Sequence, residues 1–118
     1  AGFGDCGPFL QTELDKDLDM LSVNIRAVHI LTKLFLRDFI ERDHGYILNV
    51  SSIAAYAPGP LMATYYASKA YVLRLSQSIY GELRRRGSHV HVAALCPGPV
   101  RTEFNQVAGV AFFTSGMR

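Results

Sequence analysis

Cysteine is nearly absent from this sequence: Cys6 and Cys96 are the only two among 118 residues. They lie far apart, and neither has a second ligand or redox partner nearby. Metal ribbons and C-x-x-C chemistry are therefore excluded, and buried free thiols in a reducing compartment are expected. The "HVH" segment should place His89 and His91 on one face of a strand, but no further ligands stand at metal spacing, so no metal site is expected. Charge of one sign is also lacking, since 12 Lys and Arg against 10 Asp and Glu leave a net +2. Nothing in that balance demands a nucleic-acid surface. The densest basic run, "RRRG" from Arg84 to Gly87, falls where a helix should end, and there cations suit the dipole and glycine suits the cap. No apolar run approaches the roughly 20 residues of a membrane span, and no signal-peptide pattern opens the chain. The expectation is a soluble, cytoplasmic protein with no membrane or nucleic-acid partner.

Repeats and low-complexity segments are missing too. A hydrophobic share of 49% and a length within the usual domain range read as a single domain, 1–118. The pattern predicts a loop over 1–8, then a long helical stretch from Thr12, a suitable N-cap, to Gly45, with a break near Asn24. Tyr46 to Val50 is a short β-favouring run, and "SSIAAYAPGP" is a loop. A second long helix is expected over about 63–86, a second strand over His89 to Leu95, and a sharp break at "CPGPVRTEF". Strands joined by a helix-length crossover pair in parallel, so the fold class is α/β, a partial Rossmann-like layer fold with two long helices.

Both helices carry more apolar surface than one buried stripe requires. Tyr65, Lys69, Val72, Ser76, Ile79 and Leu83 form one row of the second helix, and Tyr66, Ala70, Leu73 and Tyr80 form a neighbouring one. In the first helix Val28, Ile30, Leu31, Leu34, Phe35 and Phe39 cover most of the circumference. Burial of more than one face is expected for each.

Gly2, Gly4 and Gly7 match G-x-G-x-x-G in spacing alone. The dinucleotide motif needs a strand before it and a helix beginning within it, so that amides face the pyrophosphate. Here one residue precedes and Pro8 follows, and the match is read as accidental.

Other residues form a more specific set. Tyr65 and Lys69 stand one helical turn apart, and a cation beside a phenol is expected to pull its pKa below the usual value of about 10. Ser52 lies thirteen residues before Tyr65, Asn24 sits in "SVNIRA", and "PGPVRT" follows the second strand. Ligands of open α/β sheets bind beyond the carboxyl ends of strands, which is where "SS" and "PG" fall. Taken together, "AG" at the start, Asn24, Ser52, "YYASK" and "PGPVRT" resemble the short-chain dehydrogenase/reductase family from Ala1 to about Phe104.

The resemblance implies hydride transfer between NAD or NADP and a carbonyl or alcohol. It implies that Tyr65 is the general acid, that Lys69 lowers the phenol pKa and binds the nicotinamide ribose, and that Ser52 holds the substrate oxygen. Asn24 would hold a water linking Lys69 to solvent, and Pro97, Gly98, Val100 and Thr102 would lie against the nicotinamide. The βαβαβ segment that carries the family's phosphate-binding turn is not within these 118 residues. The chain alone is thus expected to bind NAD or NADP weakly and to be inactive, either as a piece of a longer enzyme or as a truncated, non-catalytic, self-associating descendant. Ser51 and Tyr66 are read as strand-end and packing residues. The family's corresponding helices form a four-helix bundle between subunits, so a homodimer or homotetramer is expected, built through the two helices and an open sheet edge.

Overall fold

Two adjacent strands set the frame: β1 (Gly45–Val50) and β2 (Val90–Leu95) pair in parallel, with Tyr46 opposite His91 and Val50 opposite Leu95. The computed structural model describes residues 5–98. Before β1 runs a continuous helical stretch in three parts: α1 (Leu14–Leu21), a wider π-helical turn (Ser22–Ala27) and α2 (Val28–Arg42). A short 3-10 turn (Ile53–Tyr56) and α3 (Ala63–Arg85) connect the strands. The α/β class and the parallel pairing agree with the sequence reading. Gly2, Gly4, Val100 and Thr102 lie outside the described residues.

Element ends differ from the sequence reading in ways that local chemistry explains. The first helix is capped at Glu13 rather than Thr12, because the Thr12 hydroxyl is engaged elsewhere, donating to Phe9 O and to the buried Asp17 carboxylate. The helix stops at Asp43, not Gly45. Asp43 turns left-handed (φ 50°, ψ 35°), and the His44 amide closes back on Phe39 O. Aspartate tolerates that conformation better than most non-glycine residues. Gly45 instead opens β1 at φ 152°. The expected break near Asn24 is a widening of the helix rather than an interruption, since the residues flanking the π turn keep right-handed helical angles. At the end of α3, Gly87 takes φ 69° and Arg84 Nη2 donates to Ser88 O and Val90 O. The basic run thus caps a helix.

Both long helices cover one face of the sheet. Leu83 of α3 packs with Val90 and Val92, and Leu36, Phe39 and Ile40 of α2 join them with Ile47 and Ile79. A polar bridge crosses this layer: Asn49 Nδ2 of β1 donates to Ser76 Oγ of α3 at 3.1 Å and to Thr32 Oγ1 of α2 at 3.4 Å. Such a bridge satisfies partly buried amide and hydroxyl groups that would otherwise oppose folding. The opposite sheet face is open, with Tyr46, Leu48 and Val50 exposed. Within this chain the first α3 row is buried as expected except for the partly buried Ile79, whereas Ile30, Leu31, Leu34 and Phe35 of α2 remain exposed. Leu73 is buried, and Tyr80 is not. The expectation of buried thiols fails for Cys6, which is exposed. No helix among the described residues is long and apolar enough to cross a membrane.

Candidate active site

The carboxyl ends of both strands meet α3 at its first turns. Past β1, the Ser51 amide donates to Leu95 O at 2.7 Å and the Ile53 amide to Pro97 O at 3.3 Å, so the two post-strand segments run side by side. Ser52 is extended (φ −166°, ψ 159°) and caps the 3-10 turn by accepting from the Ala54 amide at 3.1 Å. That turn brings Ala54 against Met20, Met62 and Tyr65, with Tyr66 packed at the edge. The structure therefore brings Ser52, Tyr65 and Lys69 together and sets Pro97 and the buried Gly98 at the adjoining strand end.

The electrostatics differ from expectation. Burial pushes the Tyr65 phenol up, while its hydrogen bond with Ser52 pulls the other way. The sequence reading, that a neighbouring cation lowers this phenol, is corrected: desolvation of the phenolate outweighs the favourable contacts. Lys69 Nζ lies over the Tyr65 ring, 5.7 Å from its centroid. Burial also lowers the Lys69 pKa, because an ammonium loses hydration in the same apolar surroundings. A protonated phenol and an amine of reduced basicity share this turn. The Tyr66 ring meets Tyr65 edge-on and covers Gly59, where an added Cβ would come within 2.4 Å of it. Packing, as expected, is its role.

Asn24 is almost fully buried in the π turn, and its Nδ2 donates to Ser68 Oγ at 3.0 Å. Ser68 in turn donates to Tyr65 O at 2.7 Å. The widened turn thus joins Asn24 to the Tyr65–Lys69 turn through Ser68. Sequence reasoning passed over Ser68, and it set Ser51 aside as a strand end. Ser51 is buried, and its Oγ donates to Lys69 O at 2.8 Å. The only sequence signal for either was adjacency, Ser68 before Lys69 and Ser51 before Ser52.

A large concavity lies elsewhere, between α2 and α3. It is lined by Thr32, Leu36, Ile40, Ile79 and Leu83 with Lys33 and Glu82 at its rim, and it contains none of Ser52, Tyr65 or Lys69. His29, Arg37, Glu41 and Arg86 also line it, but the strand-end cluster is the stronger site because it lies where ligands of open α/β sheets bind.

A family model described as short chain dehydrogenase matches residues 1–110. The chain belongs to this family. Over 88 residues it is 41% identical to dehydrogenase/reductase SDR family member 4 of Bos taurus, covering 75% of this chain and 31% of that protein. It is 37% identical over 101 residues to a very-long-chain 3-oxoacyl-CoA reductase of Anas platyrhynchos, covering 85% and 32%. Among solved structures, a short-chain dehydrogenase from Sphingobium yanoikuyae in complex with NADPH superimposes at a TM-score of 0.83 with 32% identity, over 94% of this chain and 43% of that one. A short-chain dehydrogenase/reductase from Burkholderia phymatum in complex with NAD gives 0.83 at 28% identity, over 93% and 40%. The chain spans about a third of the relatives' length and less than half of those structures.

Proposed function

We propose that these residues form the catalytic part of an NAD(P)-dependent oxidoreductase that moves hydride between a carbonyl or alcohol and the cofactor. The observation that carries this reading is the meeting of Ser52, Tyr65 and Lys69 at the strand ends. In the reducing direction a proton donor must be protonated at working pH, and a phenol raised by burial meets that condition. Ser52 holds the substrate oxygen, and its bond with Tyr65 sets the distance over which the proton moves. Lys69, short of hydration, would hold the hydroxyls of a nicotinamide ribose. Pro97 and Gly98 stand at the adjoining strand end, on the side where the nicotinamide would lie. Asn24 acts behind them, relaying between Lys69 and solvent. A bound dinucleotide supplies the hydride, and the protein supplies position and field.

The protein carrying these residues should oxidise NADH or NADPH in the presence of carbonyl compounds. Tyr65→Phe keeps the ring and removes the acidic proton, so turnover should fall by about two orders of magnitude or more. Tyr66→Phe should retain most of it. Equal losses in the two variants would overturn the assignment of the proton donor.

A second reading, a self-associating protein without turnover, is favoured by the exposed Ile30, Leu31, Leu34 and Phe35. A protein that self-associates yet neither binds dinucleotide nor reduces carbonyl compounds would select it. In either reading the assembly is a homodimer or homotetramer built through α2 and α3.

A further inference from the structure

One dipeptide touches α3 in two places a turn apart. Ser51 reaches the backbone carbonyl of Lys69 with its hydroxyl at 2.8 Å, and Ser52 reaches the hydroxyl of Tyr65. Successive residues of an extended segment point to opposite sides, so the two serines grip the helix through different groups. Ser51 is in turn fixed to β2, its amide donating to Leu95 O at 2.7 Å.

The Lys69 carbonyl lies within α3, where the i+4 amide of Leu73 already supplies a helical donor. The Ser51 hydroxyl occupies its second acceptor direction. Removing it would not orphan a buried carbonyl. It would remove the tie between the strand end and the helix turn that presents Tyr65 and Lys69. On the other side of that turn, Ser68 donates to Tyr65 O and accepts from Asn24. The catalytic turn is therefore braced on two of its own carbonyls by two serine hydroxyls, neither of which is among the groups assigned to chemistry.

We propose that Ser51 is a positioning residue: by tying the Lys69 carbonyl to the end of β1, it holds the Ser52 hydroxyl in hydrogen-bond register with the Tyr65 phenol. This rests on the reading of Tyr65 as the proton donor only for its consequence in turnover, because the register itself is a property of the protein without substrate. Loosening the tie lengthens the Ser52–Tyr65 bond. That bond favours the phenolate, so its loss moves Tyr65 ionisation to higher pH.

The test is a tyrosinate absorbance titration of the native protein, read by rapid pH jump so that the fold persists, with Tyr65→Phe subtracted to isolate the Tyr65 step. Ser51→Ala should raise the Tyr65 midpoint by about half a unit or more, and Ser51→Thr, which retains the hydroxyl, should stay within about 0.2 units of wild type. Ser51→Cys, similar in size with a weaker donor, should rise by a smaller amount in the same direction and serves if the alanine variant fails to fold. Where the protein turns over, kcat should fall with KM little changed, and the alkaline limb of the rate profile should move with the titration. A folded Ser51→Ala or Ser51→Cys protein with an unmoved Tyr65 midpoint overturns the proposal, leaving Ser51 a structural hydroxyl. Where the protein turns over, a Tyr65 midpoint that shifts in Ser51→Ala while kcat and its alkaline limb stay unmoved would refute the proton-donor reading and support the positioning role.

Discussion

Asp43 shows how much a single exposed residue can organise. It ends α2 in a left-handed turn, and its carboxylate accepts from the Ser88 hydroxyl at 3.2 Å, the His89 amide at 2.9 Å and the His89 ring at 2.6 Å. The hydrogen bond from the His89 ring, followed by that from its amide, holds the Asp43 carboxyl down at about 2. The sign follows from linkage: a carboxyl held below its ordinary value of 3.8 stabilises the fold above that value and loses the contribution as pH falls toward about 2. Asp43→Asn keeps a residue that tolerates the left-handed turn and removes the charge. It should melt at lower temperature than wild type at pH 6, and the gap should close as the pH falls from about 4 to about 2. Because the pair is exposed, added salt should shrink the gap as well. A gap that is unchanged across that range in thermal melts would show that His89 gains nothing from the carboxylate. His89 was read from sequence as one of a strand-face pair with His91; in the fold it precedes β2 and serves the end of α2, while His91 stacks on Tyr46.

At the scale of elements, the junction of α2 and β1 leaves no room for a side chain at Gly45. A Cβ at Gly45 would fall 2.3 Å from the Phe39 ring, and the backbone there has φ 152°. The contact is with the root of a ring held in the core, so it cannot give way cheaply. Gly45→Ala should cost about 1–3 kcal/mol or more, combining overpacking with an unfavourable backbone angle. The urea midpoint of unfolding reads this directly, and an unchanged midpoint would mean that Phe39 repacks freely. The π turn is the other element that matters for function. One extra residue in the turn lets Asn24 face α3 and bond Ser68, and π turns often occur at functional sites. Asparagine marked an irregularity in the sequence, but its kind depends on what α3 offers opposite.

For the molecule as a whole, a two-stranded parallel sheet with one face covered is a small stabilising unit. The uncovered face presents Tyr46, Leu48 and Val50, and α2 presents Ile30, Leu31, Leu34 and Phe35. Burying such surface stabilises an assembly at roughly 25 cal/mol per Å2 of apolar area. Phe35→Glu places a charge on the exposed side of α2 and, toward the core cluster, gives up its tilted ring contact with Phe39. It should dissociate or aggregate the assembly in light scattering, with the helix content seen by circular dichroism retained in any soluble fraction. A wild-type protein that is a stable 13.1 kDa monomer at micromolar concentration would overturn assembly through α2. Leu73→Glu does not serve for this purpose, because Leu73 is buried within the chain and its replacement would unfold the protein first.

The parallel α/β class, the two long helices and the membership of Ser52, Tyr65 and Lys69 in one site were all legible in the residues. The class and the helices follow from apolar periodicity, strand length and a crossover too long for a hairpin. A one-turn spacing sets Tyr65 by Lys69, whereas Ser52 joined them through its place at a strand end and the family resemblance. Tertiary structure decided what depends on partners distant in sequence. Desolvation, supplied by Met20, Ala54 and Met62, raises the Tyr65 phenol where adjacency to Lys69 alone would have lowered it. The left-handed stop at Asp43 depends on Ser88 and His89, 45 and 46 residues away. Ser51 and Ser68 looked like spacers because a serine hydroxyl has no direction until a carbonyl is brought to it. In this fold the carbonyls brought to them belong to Lys69 and Tyr65.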